Sequence, residues 1–293
     1  MSARGITLLD GGMGTELRAR GVEVPSHITS IWSAKAIDDA PEAIVEVHRD
    51  YIQAGADVIT INNYAVTHPL LSREGMEDRL EELTLAACDL AARARDEGRR
   101  PVRLAGSLPP LDASYRADLV GEDSAILAEY RRMAEILAPR VDVLLCETMA
   151  SAREAVAACT AARETDREVW VSWTLQGHRP NHLPSGETVP QAHGALAPLE
   201  ADAYLVNCCG ANLVSDAIPR LADLTTRRIG GYAHSADVVV RTKADDPVEF
   251  EPLDVEAYGQ SVLGWIESGA TIVGGCCSTR PAHVQRLRRL IDG

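Results

Sequence analysis

Aromatic side chains are scarce in this chain: they make up 4% of its 293 residues, and Phe250 is the sole phenylalanine. Hydrophobic residues still reach 46%, so any core must be mostly aliphatic. No apolar run approaches the roughly 20 residues that span a bilayer. The first residues, MSARGITLLDGG, lack the longer apolar region and cleavage site of a secretory signal, so a cytoplasmic location is expected. A dense block of Lys and Arg is missing too. The 29 basic residues face 43 acidic ones, giving a formal net charge of −14. Nucleic acid is therefore not an expected partner, because phosphate binding needs concentrated positive charge. Small molecules are, and a cationic one would not be repelled. At 25% charged residues the composition excludes a disordered or fibrous chain. There is no C-x-x-C pair, and an odd count of seven cysteines in a reducing compartment argues against a disulfide framework.

Short β-rich runs recur along the whole length at residues 6–10, 58–61, 102–104, 141–145, 169–175, 203–206, 228–232 and 271–273. Segments with helical spacing of apolar residues lie between them, such as Ile44, Val47, Tyr51 and Ile126, Tyr130, Met133, Leu137. Asp254 is placed to cap a helix that Gly269 ends, and Pro41 suits a first turn. Alternating strands and helices imply parallel βα units. Eight of them in this length predict an α/β fold, a (β/α)8 or TIM barrel forming one domain over 1–293, with a doubly wound open sheet as the alternative. The polar, proline-bearing stretch 177–191 follows the fifth strand and would sit on the face where barrel active sites lie.

Reactive residues collect at the strand ends: Asp10-Gly11-Gly12, Asn62-Asn63-Tyr64, Gly106-Ser107, Cys146-Glu147-Thr148, Asn207-Cys208-Cys209, His234 and Cys276-Cys277. In a parallel barrel they share one mouth. An isolated cysteine reads most simply as a small buried hydrophobe, as for Cys88, Cys146 and Cys159. Two vicinal pairs at strand ends fit that reading less well, and metal binding is the stronger alternative to a disulfide. Three thiolates suit zinc, a borderline-soft ion that accepts tetrahedral sulfur ligation with a position left open.

LLDGGMGTEL, the stretch from Ile31 to Thr67, the Glu-Thr of LLCETMAS, Val206-Asn207-Cys208 and the terminal Gly-Gly-Cys-Cys together resemble the zinc-dependent homocysteine S-methyltransferase family, from about Leu8 to Cys277. The resemblance implies a (β/α)8 barrel and zinc held by Cys208, Cys276 and Cys277, with Cys209 an extra thiol outside the ligand set. It implies that Asp10 and Glu147 accept hydrogen bonds from the homocysteine ammonium, that backbone N–H groups of Gly11, Gly12 and Met13 hold the carboxylate, and that Trp32 and Tyr64 line the pocket. Without the resemblance, Asp10 reads equally as a helix N-cap, and Trp32 and Tyr64 as packed core. Trp170 and Trp173 face opposite sides of a strand, so at most one is a pocket residue.

The implied chemistry needs these residue types. A free thiol with a pKa of about 8.5 is mostly protonated at neutral pH, and metal binding deprotonates it. The resulting thiolate would attack a methyl group on a sulfonium or quaternary ammonium donor, forming methionine. Two segments depart from the family: GYAHSADV where S-methylmethionine-dependent relatives tend to carry a YPNSGE-like run, and GSLPPLDASYRADLV in place of an SVGPYG-like one. Both border the donor side, which leaves the donor's identity open and His234 and Ser235 as either donor-pocket residues or a solvated loop. A homocysteine-binding module serving a separate cobalamin protein, or a methyltransferase for a selenol such as selenohomocysteine, are the alternative functions. No D-x-H-x-x-G cobalamin motif is present. A homo-oligomer is compatible with such a barrel.

Overall fold

Each of the eight expected strands forms, with ends shifted by a few residues. The computed structural model describes residues 5–25, 31–177, 179–239 and 248–293. In chain order the strands are β1 (Thr7–Leu8), β2 (Val58–Thr60), β3 (Arg103–Leu108), β4 (Val143–Met149), β5 (Glu168–Trp173), β6 (Ala203–Asn207) and β7 (Arg228–Ala233), then a hairpin of β8 (Ala236–Val239) and β9 (Glu249–Pro252), and finally β10 (Ile272–Gly275). The hairpin was not among the expected strands. Its first strand continues directly from a barrel strand and its second is the short, fully exposed Glu-Phe-Glu-Pro, so neither carries a buried apolar run.

The eight other strands pair in parallel in the order β1-β10-β7-β6-β5-β4-β3-β2. The two outer members meet through a parallel bridge between Leu9 and Val58, and Asp57 N–H donates to Leu8 O at 2.7 Å. That seam closes the sheet into a barrel and excludes the open doubly wound alternative, whose edges stay apart. Helices follow the strands as the apolar spacing requires. Pro41 opens the helix Pro41–Ala54, where its missing N–H costs no intrahelical bond. Asp254 caps Val255–Glu267 by accepting from Ala257 N–H at 2.8 Å, and Gly269 follows at φ 103°.

Side chains alternate between the barrel lumen and the helix layer. Leu9, Val58, Ala105, Val143, Leu145, Trp170, Ala203, Leu205, Tyr232 and Ile272 pack together as the lumen. Cys88, Cys146, Cys159 and Cys209 belong to the larger cluster beneath the helices. Trp170 fills the lumen and Trp173 packs outward against Tyr204, with stacked rings 5.9 Å apart, so neither reaches the mouth.

The two ends of the lumen differ. At the N-terminal end, Arg103 and Arg228 pair with Glu168, and all three are first residues of their strands. The guanidiniums lie 5.9 and 5.6 Å from the Trp170 ring centre, whose indole N–H donates to Glu168 at 2.6 Å. At the C-terminal end the inward positions turn polar: Ser107, Glu147, Ser172, Asn207.

Candidate active site

A cavity of about 850 Å³ opens over those polar positions. Asp10, Gly11, Gly12, Met13, Trp32, Tyr64, Glu147, Cys208, Cys276 and Cys277 all line it, so the structure brings together every residue expected there. Leu175, Gln176, Gly177 and Pro184 add the start and middle of the stretch after the fifth strand; His178 of that stretch lies outside the described residues.

Asp10 is not a helix N-cap. Its carboxylate accepts from Thr60 N–H at 2.8 Å, across the seam between β1 and β2, while Gly12 takes the cap position of the helix Met13–Ala19. Burial and the neighbouring Glu147 charge push Asp10 up to about 8, although the Thr60 bond favours ionisation. Glu147 accepts from Ser107 Oγ at 2.6 Å and Tyr232 Oη at 3.2 Å, and burial lifts it to about 7. Two carboxylates facing one cavity, both held near neutrality, form a pocket that gains from a bound cation.

The turn before the helix is tight. A Cβ on Gly12 would lie 2.8 Å from Cys276 O, and one on Gly14 2.5 Å from the Trp32 ring, so only glycine lets β1, β10 and the Trp32 segment close together. Gly12 N–H donates to Thr279 O and Oγ1, both at 3.3 Å. Met13 stands at the first helical position, where a backbone N–H has no intrahelical acceptor.

The thiols come from two strand ends. The ligand atoms of Cys208, His234, Cys276 and Cys277 all lie within 4.8 Å of one another. Cys208 Sγ is 4.0 Å from Cys277 Sγ, 3.4 Å from His234 Nε2 and 3.0 Å from Tyr115 Oη. A tetrahedral ion with Zn–S of about 2.3 Å and Zn–N of about 2.0 Å needs ligand atoms roughly 3.5–3.8 Å apart, so the donor set fits with small adjustments. Hydrogen bonding from Cys208 and Cys276, then His234, holds Cys277 well below the usual thiol range. Hydrogen bonding to Cys208 and Cys277, with burial, pushes Cys276 up. One thiolate thus forms readily while a second is resisted, and a dication is what lets three ionise together. Cys209 Sγ stays outside the group, packed in the outer core.

Backbone strain concentrates here. Among the described residues, seven non-glycine residues have positive φ, and Trp32, Tyr115, Thr148, Cys208 and Ser278 of these line the cavity. Such conformations persist only where surroundings hold them. Asn207 supplies one hold: its Oδ1 accepts from Thr148 N–H at 2.9 Å and Ser172 Oγ at 2.7 Å, fixing the turn directly after Glu147.

On the outer side Trp32 meets Tyr64 edge to face at 6.0 Å, and Tyr64 bonds to Ser114 at 2.8 Å. Tyr115, Val248 and Phe250, three of the four exposed large hydrophobic residues among those described, rim the opening. Sequence reasoning missed Tyr115, Tyr232 and the hairpin residue Phe250, and it placed Ser107 at a strand end without its bond to Glu147. Only Tyr232 carried a signal, as an aromatic at the end of a strand whose neighbouring residues are glycines.

A parallel barrel whose C-terminal mouth gathers three thiols, an imidazole and two buried carboxylates defines a barrel enzyme with a metal-type centre. The homocysteine S-methyltransferase family model matches residues 7–291, and the chain belongs to that family. It is 30% identical to homocysteine S-methyltransferase YbgG of Bacillus subtilis over 96% of this chain and 93% of that one. It is 28% identical to the selenocysteine methyltransferase of Astragalus bisulcatus over 97% and 92%. Among solved structures, the metallated form of the homocysteine methyltransferase MmuM from Escherichia coli superposes with a TM-score of 0.83 at 28% identity, covering 98% of this chain and 96% of that one. The chain is therefore a methyltransferase of the kind that uses homocysteine as acceptor. No helix among the described residues is long and apolar enough to cross a membrane.

Proposed function

We propose that the protein transfers a methyl group from a cationic sulfonium or quaternary ammonium donor to homocysteine, forming methionine, at a zinc centre held by Cys208, Cys276 and Cys277. The observation that carries this reading is the convergence of those three sulfurs in one cavity with Asp10 and Glu147. Zinc, when bound, would keep the substrate sulfur deprotonated and electron-rich at neutral pH.

The chain's own residues do the rest. Asp10 and Glu147 accept hydrogen bonds from the substrate ammonium, which is favourable because each carboxylate ionises at little cost once a cation is beside it. Ser107 and Tyr232 fix the Glu147 carboxylate in place for that contact. Backbone N–H groups at the turn of Gly11 to Met13 face the substrate carboxylate; with Gly12 already donating to Thr279, Gly11 and Met13 are the stronger contributors. Trp32 and Tyr64 present aromatic surface to the positively charged methyl donor, and Tyr115 and Phe250 extend that surface at the rim. The step itself breaks the methyl–sulfur or methyl–nitrogen bond as the methyl–thiolate bond forms, and the donor leaves one positive charge poorer. No general base on the protein is required.

Metal analysis of protein purified without chelator is expected to give about one zinc per chain; only trace zinc after supplementation would reject the centre. A donor panel of S-methylmethionine, S-adenosylmethionine, betaine and dimethylsulfonium compounds, assayed with homocysteine, is expected to give methionine with at least one of them. Absence of product from the isolated chain with every donor would instead favour a module that serves a separate methyl carrier. The likeness to a selenocysteine methyltransferase supports including selenohomocysteine and selenocysteine as acceptors in the same panel.

A further inference from the structure

His234 lies in a segment that the sequence alone leaves as either donor pocket or solvated loop, and its surroundings make it more than a loop residue. It follows directly on β7, between the ends of the two strands that carry the cysteines. Its N–H donates to Cys209 O at 2.9 Å, and the next N–H, of Ser235, donates to Cys277 O at 3.2 Å. Ser235 Oγ donates to Leu253 O at 2.8 Å and lies 3.0 Å from His283 Nε2. The preceding residue is pinned as well: Ala233 O accepts from Cys276 N–H at 2.8 Å and from Tyr258 Oη at 3.2 Å. The backbone on both sides of the imidazole is therefore fixed to the same strand ends as the sulfurs. The ring itself is half-buried under Phe250, with centroids 5.4 Å apart, and its Nε2 points at Cys208 Sγ from 3.4 Å.

Three sulfurs and this nitrogen complete a tetrahedral donor set, since all four atoms lie within 4.8 Å of one another. A site that binds substrate on the metal needs one position that the protein does not hold permanently. We propose, resting on the zinc reading above, that His234 Nε2 is the fourth ligand in the substrate-free protein and that the homocysteine thiol takes its place. In that exchange the metal–nitrogen bond breaks, a metal–sulfur bond forms, the thiol proton leaves to water, and nothing is oxidised or reduced. His234 then swings toward Phe250 and the rim while its pinned backbone stays. The imidazole thus keeps the centre four-coordinate between turnovers and shields the three thiolates from oxidation and metal loss.

X-ray absorption at the zinc edge of the intact protein tests this without relying on turnover. The substrate-free wild type is expected to show three sulfurs and one nitrogen with the multiple scattering of an imidazole ring, and added homocysteine should convert this to four sulfurs with no ring scattering. His234→Ala should keep three sulfurs, lose the ring signal, and release zinc to a competing chelator with an affinity at least about 10-fold weaker, the loss that even an outer-shell partner typically causes. His234→Gln, which retains a polar side chain without a ring, guards against a folding defect in the alanine variant. Three sulfurs plus an oxygen without ring scattering in the wild type, as Tyr115 or water would give, overturns the ligand assignment and leaves the three-cysteine centre standing. Ring scattering that survives homocysteine overturns the exchange. Fewer than three sulfurs overturns the zinc reading itself, and the inference with it.

Discussion

The two ends of the barrel lumen are built from the same eight strands and obey opposite rules. At the N-terminal end the strand-start charges pair with one another: Glu168 lies between Arg103 and Arg228, and Asp57 meets both Arg100 and Arg288. None of these residues has a positive φ. At the C-terminal end two buried carboxylates have no cation beside them among the described residues, three thiols crowd together, and five residues hold left-handed backbone. One end is satisfied by the protein alone, whereas the other leaves its electrostatic needs to be met by what binds there. The contrast teaches where substitutions should act: on folding at one end, on binding and turnover at the other.

The sharpest test of the contrast is at the mouth. Cys276→Ser is expected to abolish zinc retention and to lower kcat/KM by at least about 1,000-fold, since several kcal/mol of thiolate activation are removed. The circular dichroism spectrum should be unchanged, because Cys276 sits at the cavity wall and not in the outer core. Retained turnover would reject its role. The mirror experiment is Trp170→Ala at the sealed end. Emptying that fully buried position should cost about 3–5 kcal/mol of stability in urea melts. The zinc content and homocysteine KM of the molecules that remain folded should hold. A Trp170→Ala protein that lost metal while its stability was unaltered would dissolve the distinction between the two ends.

The carboxylates give an effect of intermediate size and a definite sign. Asp10 at about 8 and Glu147 at about 7 stand above the values of unfolded carboxylates, near 4, so the folded metal-free protein keeps protons that the unfolded chain has released. Their contribution to stability is full below pH 4 and is lost as pH rises through 7 and 8. Each proton gives a slope of up to about 1.4 kcal/mol per pH unit. His48, buried and lowered to about 4, acts in the other direction, but its contribution is complete above its unfolded value of 6.5. Urea melts of the metal-free protein between pH 6.5 and 8 should therefore show stability falling, and Glu147→Gln should flatten that fall. The same substitution should lower kcat/KM for homocysteine by roughly 10- to 100-fold, the worth of one hydrogen bond to a charged group. A steep fall in stability that Glu147→Gln leaves untouched would show that other groups titrate there.

How far the sequence reaches follows from the range of each interaction. The barrel was legible because parallel strands buried on both faces are nearly continuous aliphatic runs, and their period of eight survives small errors at the ends. The β8–β9 pair was not, because β8 is a four-residue strand of alternating burial and β9 is exposed, so neither carries such a run. Cys208, Cys276 and Cys277 stood out as pairs at strand ends. The bonds of Ser107 and Tyr232 to Glu147 were not legible, since these residues come from β3 and β7 and meet it only once the barrel closes. Asp10 shows the same limit from the other side. A local reading made it equally a helix cap, but its acceptor oxygen serves Thr60, 50 residues on and across the seam. Tyr115 lies in an irregular loop at φ 66°, where no periodicity reports its aim toward Cys208.

The smallest expected effect separates strain that the mouth uses from strain that it only tolerates. Ser278 has a φ of 63°, directly after the cysteine pair, and its side chain is exposed. Its backbone N–H donates to Thr15 Oγ1 at 3.0 Å, a bond that glycine would keep. Left-handed backbone costs an L-residue about 1–2 kcal/mol, and glycine returns roughly 0.5–1 kcal/mol of that as extra freedom of the unfolded chain. Ser278→Gly should therefore stabilise the protein by up to about 1 kcal/mol, with zinc content and kcat unaltered. Thr148 is strained to the same degree at φ 59°, but it is fully buried, its hydroxyl accepts from Asn207 Nδ2 at 2.8 Å, and it directly follows Glu147. Thr148→Gly removes the same backbone strain together with that tether, so the homocysteine KM should rise even where stability does not fall. Equal kinetic behaviour of the two variants would mean that the left-handed turns at the mouth are a by-product of packing three strand ends together and carry no part of the site's precision.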